Sequence, residues 1–249
     1  GATFILIGIG FMYMMTGTLN MADLAVQLES VKNTRTVITA FAFFSVGVSL
    51  KLALFPLHLW LPNAYAFAPS VVTALLAATA TKVSIYVLLR FIFSIFGTDF
   101  AFEAMKLDAV LLPLALIGIF VGSTVAVFQN NIKRMLAYST VAQAGYILIG
   151  VAAIAARAPD QETLGPSSVL FYLVAYAATN LAAFFAIIVI TNKTGSDDID
   201  SFAGMGRRAP VIAAILAFAM LSLIGIPSTA GFMGKLYIIS AAIRSDLVW

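Results

Sequence analysis

The feature that most constrains this chain is a run of about 20 apolar residues that recurs from end to end, separated only by short polar breaks. A helix of about 20 residues is what a ~30 Å hydrocarbon core demands. Seven such segments can be delimited: Ala2 to Leu19, Thr36 to Leu61, Val71 to Phe96, Leu107 to Phe128, Met135 to Ala156, Ser167 to Thr191, and Val211 to Ile243. Only helices and closed barrels satisfy their own backbone in lipid, and segments this long without two-residue alternation are not barrel strands. The expected fold class is therefore all-α, a polytopic transmembrane helix bundle of about seven spans. Composition agrees, since only 10% of the residues are charged, against roughly 25% in a soluble domain. The lipid bilayer is the first expected partner.

The same composition excludes several functions. Cysteine is absent, so thiolate-ligated iron–sulfur clusters and disulfides are ruled out. His58 is the single histidine and cannot make a bis-histidine haem site alone. The formal charge of +3 is too small to argue nucleic-acid binding, because the basic residues sit between or inside the apolar spans. No cofactor and no metal are expected of this chain, and no nucleic acid among its partners. It opens at Gly1 with a helix already under way, which reads as an incomplete chain.

Two segments carry signs of interruption. The last has 33 residues, which as one straight helix would reach about 50 Å, beyond the hydrocarbon thickness. Gly225, Pro227 and Gly231 supply a break there, and Pro56 supplies one in the second segment. Broken helices in a transport protein expose backbone groups and helix ends to a cavity, so the functional axis is expected along these two segments. Orientation is poorly marked: Lys32, Arg35, Arg90, Lys106, Arg157 and Arg244 lie on one side, and Lys133, Arg134, Lys193, Arg207 and Arg208 on the other. The short, acid-free Lys133-Arg134 turn places the second set on the cytoplasmic face, with both residues, like Arg90, read as interfacial topology markers.

Three lysines fall within the spans: Lys51, Lys82 and Lys235. Lys82 is 11 residues from both Val71 and Phe93, too far to snorkel to either interface. A lysine at such depth costs about 2.5 to 3.5 kcal/mol even on lenient insertion scales, and so demands a partner, a water cavity or loss of its proton. A row of such lysines can pass charge by altering one another's proton affinity. The plainer reading pairs each lysine with a loop carboxylate or a helix C-terminus. His58, following Pro56, suits either a structural hydrogen bond or a relay role. Thr79, Thr81, Ser84, Ser139, Thr140, Gln143, Tyr146 and Asn180 could line a hydrated path, although such residues often only bond neighbouring helices. No carboxylate lies deep in any span: Asp23, Glu29, Asp99, Glu103, Asp108, Asp160, Glu162, Asp197, Asp198, Asp200 and Asp246 all fall in loops or segment ends.

Beyond these physical readings, Lys51-Leu-Ala-Leu-Phe-Pro-Leu-His-Leu-Trp-Leu-Pro62, and Ala68-Pro-Ser-Val-Val-Thr-Ala-Leu-Leu76 continuing to Lys82, resemble the signature of the proton-conducting antiporter family. That family comprises large membrane-arm subunits of complex I and the Mrp antiporters. Asn131-Ile-Lys-Arg-Met-Leu-Ala-Tyr-Ser139, Gln143-Ala-Gly-Tyr146, Leu221-Ser-Leu-Ile-Gly-Ile-Pro227 and Gly231-Phe-Met-Gly-Lys235 match the same pattern. Phe171 to Phe184 and Asp198 to Pro210 look most like the subunit N branch of NADH–quinone oxidoreductase, and next the Mrp antiporter branch. The resemblance implies a fold of about fourteen helices in two inverted repeats, of which residues 1–249 would be one proton-translocating membrane domain cut at both ends. By motif match, Lys51, Lys82 and Lys235 correspond to the family's proton-relay lysines on two broken helices and the helix between them. The glutamate that pairs with the first of these would precede Gly1. Relatives often carry acids where this chain has Asn63 and Phe67.

The expected function is a proton-translocating membrane-arm subunit, with Lys51, Lys82, Lys235 and His58 as relay residues and protons, or sodium, as the ion. The resemblance implies partner subunits that hold NADH, flavin, iron–sulfur clusters and quinone, and a bacterial plasma membrane. An Mrp-type sodium/proton antiporter subunit is the alternative, and a membrane scaffold with lipid-paired lysines the non-transport reading.

Overall fold

The computed structural model describes residues 1–153 and 164–245. The end of the segment read to Ala156, together with Arg157, Asp160, Glu162 and Asp246, lies outside the described residues. The chain opens with α1 (Ala2–Thr16), which stops at Gly17 in the left-handed region, φ 69°. Glycine alone adopts that conformation without a Cβ penalty. A second helix, α2 (Met21–Val31), follows at a bend of 67°. Apolar runs alone predict only a polar break here. The helix is amphipathic: Leu24 and Leu28, four residues apart, are buried while Asp23 and Glu29 face outward. Asn20 caps it by accepting the Ala22 N–H at 3.0 Å.

Next come α3 (Arg35–Leu52) and α4 (Trp60–Phe67), separated by the interruption predicted at Pro56. Then α5 (Ser70–Leu75) continues through a π turn, Leu76–Ala80, into α6 (Thr81–Arg90), so that the spiral runs unbroken to Phe96. The next helices are α7 (Leu107–Val127), α8 (Ile132–Ala152), α9 (Leu164–Thr194) and the single turn α10 (Met205–Arg208). The predicted break in the last segment separates α11 (Pro210–Ile224) from α12 (Ala230–Arg244). Gly225, φ 89°, ends α11, whereas Gly231 lies inside the first turn of α12. Among the described residues each of the seven apolar segments is thus largely helical, the last as two 15-residue pieces. Among the described residues five helical stretches are long and apolar enough to cross a membrane, or six when the bent α1–α2 pair counts as one.

The packing follows from where small residues fall. A Cβ at Gly145 of α8 would come within 2.6 Å of the Ala115 carbonyl oxygen of α7, so these helices touch almost backbone to backbone. Helix α9 contacts α8, α11 and α12 together, and so forms the spine of the second half. Large apolar side chains such as Phe120, Val174, Val211 and Phe218 point outward, while Thr81, Lys82, Thr140, Gln143, Asn180 and Ser222 are buried. Apolar outside and polar within is the arrangement expected of a bundle whose solvent is lipid.

Candidate functional site

Each interrupted helix leaves orphan carbonyls at its break, and their partners set the site. At the end of α3, the Leu50 carbonyl accepts the indole N–H of Trp60 at 2.8 Å as well as the Ala53 N–H at 3.3 Å, and the Ser49 carbonyl accepts the Leu54 N–H at 3.0 Å. The break is closed by its own residues, including Ala53 in the left-handed region and a cis Phe55–Pro56 bond. Lys51 gains no carbonyl here. It is exposed and lines a cleft of about 660 Å³ with Ala2, Ile5, Trp60 and Val87. Within residues 1–249 the Lys51 side chain is left exposed, and among the described residues no carbonyl, carboxylate or ring holds its ammonium.

The end of α11 is the opposite case. The carbonyls of Leu223 and Ile224 both accept from Lys235 Nζ, each at 3.0 Å. Lys235 stands one turn into α12, beyond the break, and reaches back to the carbonyl end of the preceding helix. That end carries partial negative charge from the aligned peptide dipoles, which makes it a counter-charge for an ammonium in place of a carboxylate. The ring of Tyr146 adds a face 4.7 Å from the nitrogen. Lys235 is half-buried and borders a cleft of about 480 Å³ lined also by Ser139, Gln143 and Tyr146.

Lys82 is buried in the interior. Its ammonium donates to the carbonyl of Ala77, inside the π turn, and lies 3.8 Å above the ring of Tyr176. A π turn shifts the hydrogen-bond register by one residue and so redirects a carbonyl that an α-helix would consume. Asn180 Nδ2 donates to the same oxygen at 3.3 Å. Among the described residues neither Lys82 nor Lys235 takes part in an ion pair.

Between the two lysines runs a belt of polar side chains from α8 and α9. Tyr176 donates to Thr140 Oγ1 at 2.9 Å, Tyr172 donates to Gln143 Oε1, and Gln143 Nε2 donates to the Leu223 carbonyl at 3.0 Å. The two tyrosine rings are stacked, centroids 6.1 Å apart and 10° from parallel. The belt thus reaches from beneath Lys82 to the carbonyl that holds Lys235. Of the polar residues that the sequence offers for a hydrated path, Thr140, Gln143, Tyr146 and Asn180 take part. Thr79 and Ser84 instead bond carbonyls of their own helix. Tyr172 and Tyr176 are not among those candidates, because an aromatic in an apolar helix reads as core. Their signal is the spacing of Tyr172, Tyr176 and Asn180 by four, which sets three polar tips on one helix face.

His58 and Lys51 lie apart from this belt. His58 is buried in the α3–α4 break, stacked on Phe55 with centroids 5.4 Å apart and edge-on to Tyr138, and its Nδ1 has no partner among the described residues. The reading of Lys133 as an interfacial marker is corrected, whereas Arg134 stays partly exposed. Lys133 is buried and ion-paired to Asp197 at 2.8 Å, and Arg134 donates to Asn63 Oδ1 at 2.9 Å. Among the described residues no group of three His, Asp or Glu could hold a metal.

Comparison with known proteins places this geometry in context. A family profile described as "NADH:quinone oxidoreductase/Mrp antiporter, TM" matches residues 1–249. NADH-quinone oxidoreductase subunit N of Desulforudis audaxviator is 38% identical over 98% of this chain and 47% of its own length. Its counterpart in Geobacillus kaustophilus is 38% identical over 94% of this chain and 47% of its own length. The chain therefore spans about half the length of the curated relatives it matches. Among solved structures, a chain of the Mrp complex from a Dietzia species superposes with a TM-score of 0.87 at 30% identity, covering 99% of this chain and 43% of the other. A chain of respiratory complex I from Thermus thermophilus gives 0.76 at 27% identity, covering 98% of this chain and 50% of the other.

Proposed function

Since the chain belongs to the NADH:quinone oxidoreductase/Mrp antiporter transmembrane family, we propose that it forms part of a proton-translocating membrane-arm subunit and supplies the proton path rather than a redox centre. The observation that carries this reading is the polar belt from Lys82 to Lys235, built through an interior whose outer surface is apolar. Lys82 and Lys235 are the proton-holding groups. Each ammonium is held by backbone carbonyls and an aromatic face, so it can lose its proton without stranding a buried anion, which a carboxylate partner would leave. The hydroxyls of Tyr176, Thr140 and Tyr172 orient the path between them, and water in the cleft beside Ser139 and Tyr146 would complete it. Lys51 and His58 serve as entry groups on the α3–α4 side. The partners are other subunits of a multi-subunit complex in a bacterial plasma membrane, and quinone reduction elsewhere provides the drive.

The test is proton pumping set against electron-transfer rate in the full-length protein within its assembled complex, carrying Lys82→Ala or Lys235→Ala. Electron transfer with pumping reduced at least about tenfold is the expected result, provided native gels show normal assembly. Unchanged pumping in both variants leaves the lysines as scaffold only. One observation favours a second reading, sodium/proton antiport: the chain superposes better on the Mrp complex than on complex I, with TM-scores of 0.87 and 0.76. Transport that requires sodium would select it.

A further inference from the structure

Gln143 stands near the middle of α8, buried, with both ends of its carboxamide engaged. Nε2 donates to the Leu223 carbonyl at 3.0 Å, and Oε1 accepts the Tyr172 hydroxyl. These partners fix the orientation of the amide, because a backbone carbonyl can only accept and the phenol must then donate to the remaining oxygen. The Leu223 oxygen is also one of the two that hold Lys235. A carbonyl has two lone pairs, so one is occupied by Gln143 and the other by the ammonium. Gln143 is thereby in contact with the α9 tyrosines and with the acceptor of Lys235 at once.

A carboxamide has no proton to release and no readily protonated site at ordinary pH, so Gln143 does not carry protons as a lysine does. Its chemistry fits a different task. On the basis of the proposed proton-translocating reading, we infer that Gln143 is a positioning residue: its donor end pins the broken terminus of α11 where Lys235 can reach it, and its acceptor end fixes the direction of the Tyr172 hydroxyl. Without the pin, the Leu223 carbonyl beyond an interrupted turn has only the lysine to hold it. The lysine would then lose its acceptor geometry each time it gave up its proton. The site therefore requires an acceptor toward α9 and a donor toward α11 in one buried side chain. Leucine offers neither. An ionised glutamate offers two acceptors and no donor, and a neutral histidine offers one of each.

The experiment measures proton pumping per electron across a pH series in the assembled complex containing the full-length protein with Gln143→Leu, Gln143→Glu or Gln143→His, and with Lys235→Ala as reference. Loss of a buried hydrogen-bond partner predicts pumping reduced about tenfold in the leucine and glutamate variants. Histidine should restore most of it at pH values where its ring is neutral and lose it on the acid side, where the imidazolium offers two donors and no acceptor. The pH of half-maximal pumping should be displaced in glutamate. Glutamate pumping normally across the whole pH series, including where its carboxylate is ionised and has no donor, while leucine fails would overturn the inference. Failure of histidine together with the other two, or normal pumping in all three, would overturn it as well. If Gln143→Leu does not assemble, Tyr172→Phe, which removes only the hydroxyl that Gln143 accepts, carries the expectation of a severalfold loss, and its normal pumping counts against the inference. Normal pumping by Lys235→Ala would instead remove the relay reading beneath it.

Discussion

Lys82 is held by one redirected carbonyl and one aromatic face, and these two supports can be separated by substitution at Tyr176. Tyr176→Phe keeps the ring under the ammonium but leaves Thr140 without its phenol donor, a net loss of about 1 kcal/mol and so a decrease in pumping of about fivefold. Tyr176→Leu removes the ring too, and a desolvated cation–π contact adds up to about 2 kcal/mol, so pumping in the assembled complex should fall further than in the phenylalanine variant. Equal pumping in the two variants would show that the ring contributes nothing. Lys82 itself was legible in the sequence, because a lysine at the centre of an apolar run has no interface within reach. Tyr176 was not, because its hydroxyl is a polar tip on an otherwise apolar side chain, and only the tertiary contact with Thr140 reveals its use. Lys133 was misread for the converse reason: proximity to a segment end suggests snorkelling, and the aspartate that buries it lies 64 residues away, at Asp197.

At the scale of the element, the breaks at Pro56 and at Gly225 were readable because proline and glycine act locally on the backbone. The π turn at Leu76–Ala80 was not, because a shift of one residue in hydrogen-bond register leaves no trace in apolar periodicity. Nor was α2, whose charges hide the Leu24 and Leu28 stripe. The α11–α12 junction depends on Gly231: its N–H donates to Ser222 Oγ at 3.2 Å, and a Cβ there would overlap the Ser222 carbonyl oxygen. Backbone cannot yield as a flexible side chain can, so Gly231→Ala should destabilise the junction by about 1 to 3 kcal/mol or more. Gly10→Ala is the matched control, since nothing beyond its chain neighbours and its own helix backbone lies within 4 Å of its Cβ position. Thermal unfolding in detergent should show a lowered midpoint for the first and an unchanged or slightly raised one for the second. A midpoint unaffected by Gly231→Ala would mean that α11 and α12 are free to separate.

For the molecule as a whole, the polar belt depends on α8 and α9 keeping their register, since Thr140 and Gln143 on one must meet Tyr176 and Tyr172 on the other. One end of this antiparallel pair is fastened outside the belt. The Lys133–Asp197 ion pair is joined by the Thr191 hydroxyl on Asp197 Oδ1 at 3.0 Å and by the backbone bonds Ile132 N–H to Asp197 O, 3.0 Å, and Ile199 N–H to Asn130 O, 2.8 Å. Breaking a buried pair by removing one partner costs about 3 to 5 kcal/mol, because the other charge is stranded, whereas removing both is often nearly neutral. The Asp197 side chain keeps 20% of its exposure, so the lower end of that range applies to Lys133→Met. Asp197→Asn strands the more deeply buried lysine and should cost more. A double-mutant cycle on detergent-solubilised protein therefore has a definite expectation: the combined variant Lys133→Met with Asp197→Asn should unfold at a higher temperature than Asp197→Asn alone. It should also lose clearly less stability than the two single losses added together. Strict additivity would show that the two charges do not act on each other and that the backbone bonds alone fasten α8 to α9.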